Sequence, residues 1–195
     1  MSGEWIEYHQ KTLVVPHRPL LEEVIHKVQT PIKKAVDAGC GTGADAAYLA
    51  AQGFDVVAFD SSQSAINTCR ARFAESNNVK CVNHCFSTFY FPPCSLFWAS
   101  QSLYFCPLEN LTTFVQKALT SLLPGGVFTA DFLGQRDTWV GSEEKSISFC
   151  QQSDIHNWSE LYELLQIRET EEDGTTIMGQ TKHWHTLTAV IRKPL

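Results

Sequence analysis

A chain of 195 residues with 44% hydrophobic content has the size of one domain and enough apolar surface to cover both faces of a sheet. No run approaches the roughly 18 apolar residues of a membrane span, and the opening MSGEWIEYHQ lacks a signal peptide's charged-then-apolar order, so a cytoplasmic protein without membrane attachment is expected. A net charge of −6, with no cluster of Lys and Arg able to neutralise several phosphates, argues against nucleic acid as a partner.

The seven cysteines, at 40, 69, 81, 85, 94, 106 and 150, contain no C-x-x-C pair, so free and mostly buried thiols are expected and no metal site. After Pro19, the apolar residues Leu20, Leu21, Val24, Ile25 and Val28 recur at helical spacing, and Pro31 ends that helix. Ile32 to Asp37 then reads as a short buried strand running straight into glycines. Ala46, Ala47, Leu49 and Ala50 mark a second helix that Gly53 terminates, and Phe54 to Asp60 a second strand ending in an acid. Ser61 or Ser62 caps a third helix through Phe73, and Val79–Asn83 and Ser95–Ser100 follow as strands.

Leu108 to Leu123 keep helical period over four turns, and Pro124, Gly125 and Gly126 break the helix before a strand Val127–Phe132. The last third predicts a helix around Trp158 to Leu165 and a hairpin turning at Asp173 and Gly174. Strands alternating with helices imply a mostly parallel sheet covered on both faces, closed by an antiparallel hairpin strand. The patternless stretch from Gly134 to Ser153 is expected to be a functional loop, a candidate substrate loop.

In an open parallel sheet, ligands sit at the carboxyl ends of the strands, and the first strand here ends in Asp37-Ala38-Gly39-Cys40-Gly41-Thr42-Gly43. Glycines let a ligand approach the backbone, and the amides of the next helix favour negative or electron-rich atoms. Thr42 and Asp45 have the spacing of a capping box. Asp60 lies at the end of the second strand, placed to accept hydrogen bonds from ribose hydroxyls. Gly39, Gly41 and Ala44 also satisfy the dinucleotide pattern G-x-G-x-x-A, so the glycines alone leave two cofactor classes open. Asp37 separates them: an acid there suits the α-ammonium group of S-adenosylmethionine (SAM) and would repel a pyrophosphate.

The segment AVDAGCGTGADAAYLAAQGFDVVAFDSSQSAI resembles the first two motifs of class I SAM-dependent methyltransferases, and SLLPGGVFTADF resembles their fifth strand and its lead-in. Within that superfamily the chain resembles small bacterial enzymes of the tellurite-resistance and thiopurine methyltransferase type. The resemblance runs from Leu20 to Lys193 and implies an α/β, Rossmann-like, seven-stranded sheet of order 3-2-1-4-5-7-6 with the last strand antiparallel. It also implies SAM as cofactor, with S-adenosylhomocysteine (SAH) as product, and a small-molecule acceptor such as a thiol or chalcogen oxyanion. The expected assembly is a monomer or homodimer.

Expected cofactor contacts are Asp37, Gly39, Cys40, Gly41, Thr42 and Gly43 in the loop, Asp60 and Ser61 at the ribose, and Ser100 after strand four. Many relatives carry an acid after strand three for the adenine amino group; here the run is His84-Cys85-Phe86-Ser87, leaving Phe86 to pack on the ring and Ser87 as a weaker acceptor. Losing such a contact costs about 1–2 kcal/mol of affinity. Methyl transfer needs alignment and a dry pocket first, and a base only for acceptors that shed a proton. Candidates for acceptor chemistry are Tyr104 and Asp131 at strand ends, with Ser100 and Gln101 beside them, and His183 and His185, which period two places on one face of the final strand with Trp184 on the other. Trp5, Tyr8 and His9 lie in a segment, 1–18, expected to fold over the cofactor as a lid. A nicotinamide-dependent oxidoreductase and a non-catalytic SAM-binding protein are the alternatives.

Overall fold

The computed structural model describes residues 3–141 and 147–195, the side chains of 3–6 excepted. The Trp5 side chain and residues 142–146 of the expected substrate loop therefore lie outside the described residues. Seven strands form one sheet: β1 (Lys34–Ala38), β2 (Asp55–Asp60), β3 (Val79–Asn83), β4 (Cys94–Ala99), β5 (Leu122–Leu133), β6 (Glu163–Thr175) and β7 (Thr181–Arg192). Their order is β3-β2-β1-β4-β5-β7-β6; β1 to β5 run parallel, and β7 lies antiparallel between β5 and the edge strand β6.

The described residues form six helices, α1 (Gly3–Thr12), α2 (Pro19–Ile25), α3 (Ala44–Ala51), α4 (Gln63–Arg72), α5 (Leu108–Ser121) and α6 (Gln152–Trp158), with a one-turn helix at Leu103–Phe105. All six residues of β4 are buried, as an apolar central strand covered on both faces must be. Its side chains alternate: Phe97 joins Val36, Phe128, Phe114 and Leu119 on the α5 side. Leu96 and Trp98 join Ala35, Val56, Leu21 and Leu49 on the α2 and α3 side. No helix among the described residues is long and apolar enough to cross a membrane.

The leading helix α2 ends at Ile25, short of Pro31, and three boundaries later in the chain also differ from the sequence reading. Asp173 and Gly174 lie inside β6, paired with His183 and Lys182, and the hairpin turns instead at residues 176–180, where Gly179 supplies a φ of 83°. Carboxylates along β6 bind basic side chains around β7, which extends the ladder past the Asp-Gly signal. The final helix ends at Trp158 rather than beginning there. Gln151 and Asp154 cap its start reciprocally, and Trp158 packs on Phe132 with ring centroids 5.4 Å apart. Lastly, β5 starts at Leu122, ahead of the glycines, because Leu122 already pairs with Cys94 before the register shifts.

Candidate active site

The carboxyl ends of β1, β2 and β4 meet at the glycine loop. The amides of Gly39 and Cys40 both donate to the Phe59 carbonyl, at 2.8 and 3.0 Å, fastening the loop to β2. Gly39 has a φ of 73°, and a Cβ there would stand 2.4 Å from Ser102 Cβ, so backbone and side chain touch where any larger residue would collide. Gly41, by contrast, has nothing within 4 Å on that side. Asp60 spans the mouth of the loop: its Oδ2 accepts from the Gly41 amide at 3.0 Å and its Oδ1 from the Ser62 amide at 2.8 Å. Each carboxylate oxygen keeps a further lone pair for a ligand hydroxyl.

A cavity of about 510 Å³ opens on this loop, walled by Gly41, Thr42, Asp60, Ser61, Phe86 and Ser100 among others. A second cavity of about 680 Å³ adjoins it, and Tyr8, Thr12, Val15, Arg18, Gln101 and Phe105 line both. Beside their junction the Asp131 carboxylate, which lines the second cavity, is held by three donors. It accepts from the Ser100 hydroxyl at 2.7 Å, the Gln101 amide at 3.1 Å and the Thr188 hydroxyl at 2.7 Å. These bonds hold Gln101 at a φ of 49°, unusual for a residue with a side chain. Its Oε1 accepts from the Arg18 guanidinium at 2.6 Å.

Residues 35–126 match the family described as a methyltransferase domain. The matched stretch runs from β1 into the start of β5. Solved structures agree in fold. TehB from Haemophilus influenzae superposes with a TM-score of 0.71 at 16% identity, covering 99% of this chain and 62% of that one. A SAM-dependent methyltransferase from Methanosarcina mazei gives 0.69 at 15% identity over 93% of this chain and 100% of that one. The N-methyltransferase NodS from Bradyrhizobium japonicum, in complex with SAH, gives 0.68 at 14% identity over 98% and 99%. Among curated proteins, ubiquinone biosynthesis O-methyltransferases of Rickettsia conorii and Rickettsia akari are 45% and 42% identical over 74 residues. That match takes in 37% and 35% of this chain, and the chain spans only 25% and 29% of the length of those relatives.

Within the matched stretch, the predicted loop residues divide into two sets. Gly39, Cys40, Gly41, Thr42, Asp60 and Ser61 line the first cavity, but Asp37 and Gly43 stand behind it. Period two turns Asp37 toward the face that α3 covers, where the Ala46 amide donates to its carboxyl. The side chain is 3% exposed and Oδ2 has no partner among the described residues. Burial, with Asp45 and Cys69 nearby, holds its pKa well above the usual carboxylate range. Asp37, read from the sequence as a contact of the ammonium group, thus lies beneath α3 and outside the residues that line the cavity. Gly43 packs on Cys69, whose Sγ a Cβ would meet at 2.6 Å. The Thr42–Asp45 capping box does not form: the Thr42 hydroxyl donates to the Thr12 carbonyl at 3.3 Å, tying the loop to α1, and Asp45 accepts from the Arg18 amide at 2.8 Å and Trp98 Nε1 at 2.7 Å.

At the far end of the cavity, Phe86 packs edge-on against Phe59 at 5.8 Å and Phe114 at 5.1 Å. Ser87 lies 3.0 Å and Thr88 3.3 Å from the Cys85 sulfur, and these hydroxyls pull that exposed thiol down to about 7. No spacing signal marks this thiol, because its shift depends on two hydroxyls brought round in one tight turn. In the second cavity Tyr104 is buried, which pushes its hydroxyl pKa up, and it stands beside Trp139 and Trp184. His183 and His185 line neither cavity, because Trp184, Thr186 and Thr188 take the face of β7 that looks into the second. His185 lies 2.6 Å from Glu169; His183 lies 2.6 Å from Asp173 and 3.0 Å from Glu171. No group of three or more His, Cys, Asp or Glu among the described residues could hold a metal ion.

Proposed function

We propose that the protein is a SAM-dependent methyltransferase of a small organic acceptor, with Asp60 binding the ribose hydroxyls of the cofactor. The observation that carries this is Asp60 itself, held by the Gly41 and Ser62 amides at the mouth of a cavity that opens into a second, larger one. The residues present fit the cofactor: Gly41 offers open backbone, Asp60 offers two oriented carboxylate oxygens, and Phe86 offers a ring for the base. When bound, SAM supplies an electrophilic methyl group. The chain's own residues then align the acceptor, exclude water and, through Asp131, hold Gln101 and Ser100 at the junction.

The cavities also bear on the acceptor. A thiol needs no base and remains compatible with the site, whereas a chalcogen oxyanion of a few heavy atoms would leave most of 680 Å³ unfilled. Tyr8, on α1, lines both cavities, which supports the N-terminal segment as a cover over the bound ligands. Isothermal calorimetry with SAM, SAH, NAD and NADP tests the cofactor. Binding of SAM and SAH alone, weakened at least tenfold in Asp60→Ala, supports the proposal; heat with NAD and none with SAM refutes it. Turnover then separates an enzyme from a SAM-binding protein.

A further inference from the structure

The second cavity has a chemistry of its own, and from it we infer that the acceptor is an electron-rich aromatic molecule methylated on an ionisable hydroxyl. This inference rests on reading the first cavity as the SAM site. At about 680 Å³ the second cavity falls within the range of sites for ligands of one or a few rings. One wall is a continuous aromatic surface. Phe105 and Tyr104 have centroids 4.7 Å apart, Tyr104 and Trp139 6.2 Å, and Trp139 and Trp184 5.5 Å. Such a wall takes a flat ring by stacking and edge contacts.

The charge of the preferred ring follows from what lies beside the two tryptophans. Lys182 sits 4.4 Å from the Trp139 centroid and 4.1 Å from the Trp184 centroid, buried and paired with the buried Asp137. A cation over an indole already uses its negative quadrupole and draws its π density, so these rings are disposed toward an electron-rich partner and poorly suited to a second cation. An ammonium-type acceptor is disfavoured on that ground.

The reacting atom follows from Arg18. Its guanidinium lines both cavities, donates to Gln101 Oε1, and makes no ion pair among the described residues. Of the carboxylates on the wall, Asp131 already accepts three hydrogen bonds and Glu172 is solvent-exposed. A guanidinium with donors to spare at the donor–acceptor junction matches an anionic oxygen, while sulfur accepts hydrogen bonds only weakly. In the reaction the acceptor O–H loses its proton to solvent, the oxygen lone pair forms the new C–O bond, and the cofactor's S–CH3 bond breaks with its electrons returning to sulfur.

The test uses the full chain with saturating SAM and one aromatic skeleton carrying different acceptors: 2-naphthol, 2-naphthalenethiol and 2-naphthylamine, with selenite alongside, reading SAH release. 2-Naphthol should be methylated at least tenfold faster than the others, and Arg18→Met should cut its kcat/KM by about 10²–10³, with a smaller loss for a nitrophenol already ionised at the assay pH, which needs the guanidinium for binding but not for ionisation. Tryptophan fluorescence of the SAH complex gives a second measurement: Trp184→Leu should weaken 2-naphthol binding at least tenfold with SAH affinity unchanged. Trp184→Phe serves if the leucine variant does not fold. Turnover of selenite, the thiol or the amine in preference to 2-naphthol overturns the inference while leaving the methyltransferase reading intact. Failure to bind SAH overturns both.

Discussion

Two adjacent glycines separate stability from binding. At Gly39 a methyl group enters a positive-φ backbone, which costs about 1–2 kcal/mol, and stands 2.4 Å from Ser102 Cβ, a collision with a buried side chain bonded to the Ala38 carbonyl at 2.6 Å. Overpacking of that kind costs a further 1–3 kcal/mol or so. Gly39→Ala should therefore lower Tm by roughly 5–15 °C, taking about 2–4 °C per kcal/mol for a chain of this length. Gly41→Ala shares the positive φ but meets nothing within 4 Å, so its Tm should fall by only about 2–8 °C. Its methyl would stand in open space on a residue that lines the first cavity, beside the amide that binds Asp60, and SAH affinity should drop at least about tenfold. Differential scanning fluorimetry and calorimetry on both variants make the comparison. A Gly39→Ala protein as stable as the parent, or a Gly41→Ala protein that loses stability equally and keeps SAH affinity, would refute this account of the loop.

Asp37→Asn keeps a group able to accept from the Ala46 amide while removing a charge that burial disfavours, so Tm should hold or rise and SAH affinity should change less than threefold; a loss above tenfold would restore a direct charge contact. Cys85, pulled down to about 7, should be alkylated by iodoacetamide at a rate with a midpoint near pH 7, and SAM should slow it, as mass spectrometry of the labelled peptide would show. Lys182→Met leaves the Asp137 carboxylate buried without its cation and should cost about 3–5 kcal/mol in denaturant unfolding. Glu171 is depressed to about 2 by Arg136 and then His183, so its contribution is present above its unfolded value of 4.5 and is lost as pH falls toward about 2. His183 is raised by Asp173 and Glu171, so its share is present below 6.5 and is lost as pH rises through the raised value. Tm against pH should accordingly fall less steeply below 4.5 in Glu171→Gln than in the parent; parallel curves would count against the pairing.

The first half of the fold was legible because its signals are local. The apolar runs of β1 and β2, the glycines between β1 and α3, and the helical period of α5 each declare one element without reference to distant residues. The hairpin was misplaced because its turn is decided by competition along a long ladder. Asp173 and Gly174 would turn an isolated peptide, but Asp173 pairs with His183 and Glu171 with Arg136 and His183, and the chain reaches Gly179 before a positive φ is needed. The final helix slipped for a similar reason: Leu164 and Leu165, which continue an apolar stripe on paper, open β6.

The site shows the same division. The predicted residues that line the first cavity come mainly from one contiguous loop and the end of the next strand, which is why spacing could single them out. The second cavity draws Tyr8 and Arg18 from the start of the chain, Tyr104 from the middle, Trp139 from a loop and Trp184 from the last strand, a set with no period and no spacing. Period two correctly put His183 and His185 opposite Trp184, but which face looks into the cavity is set by β5, where Asp131 binds Thr188, two steps from Thr186 and four from Trp184 on the same face. Sequence alternation fixes relative orientation along a strand; only its neighbour in the sheet fixes which side reaches the ligand.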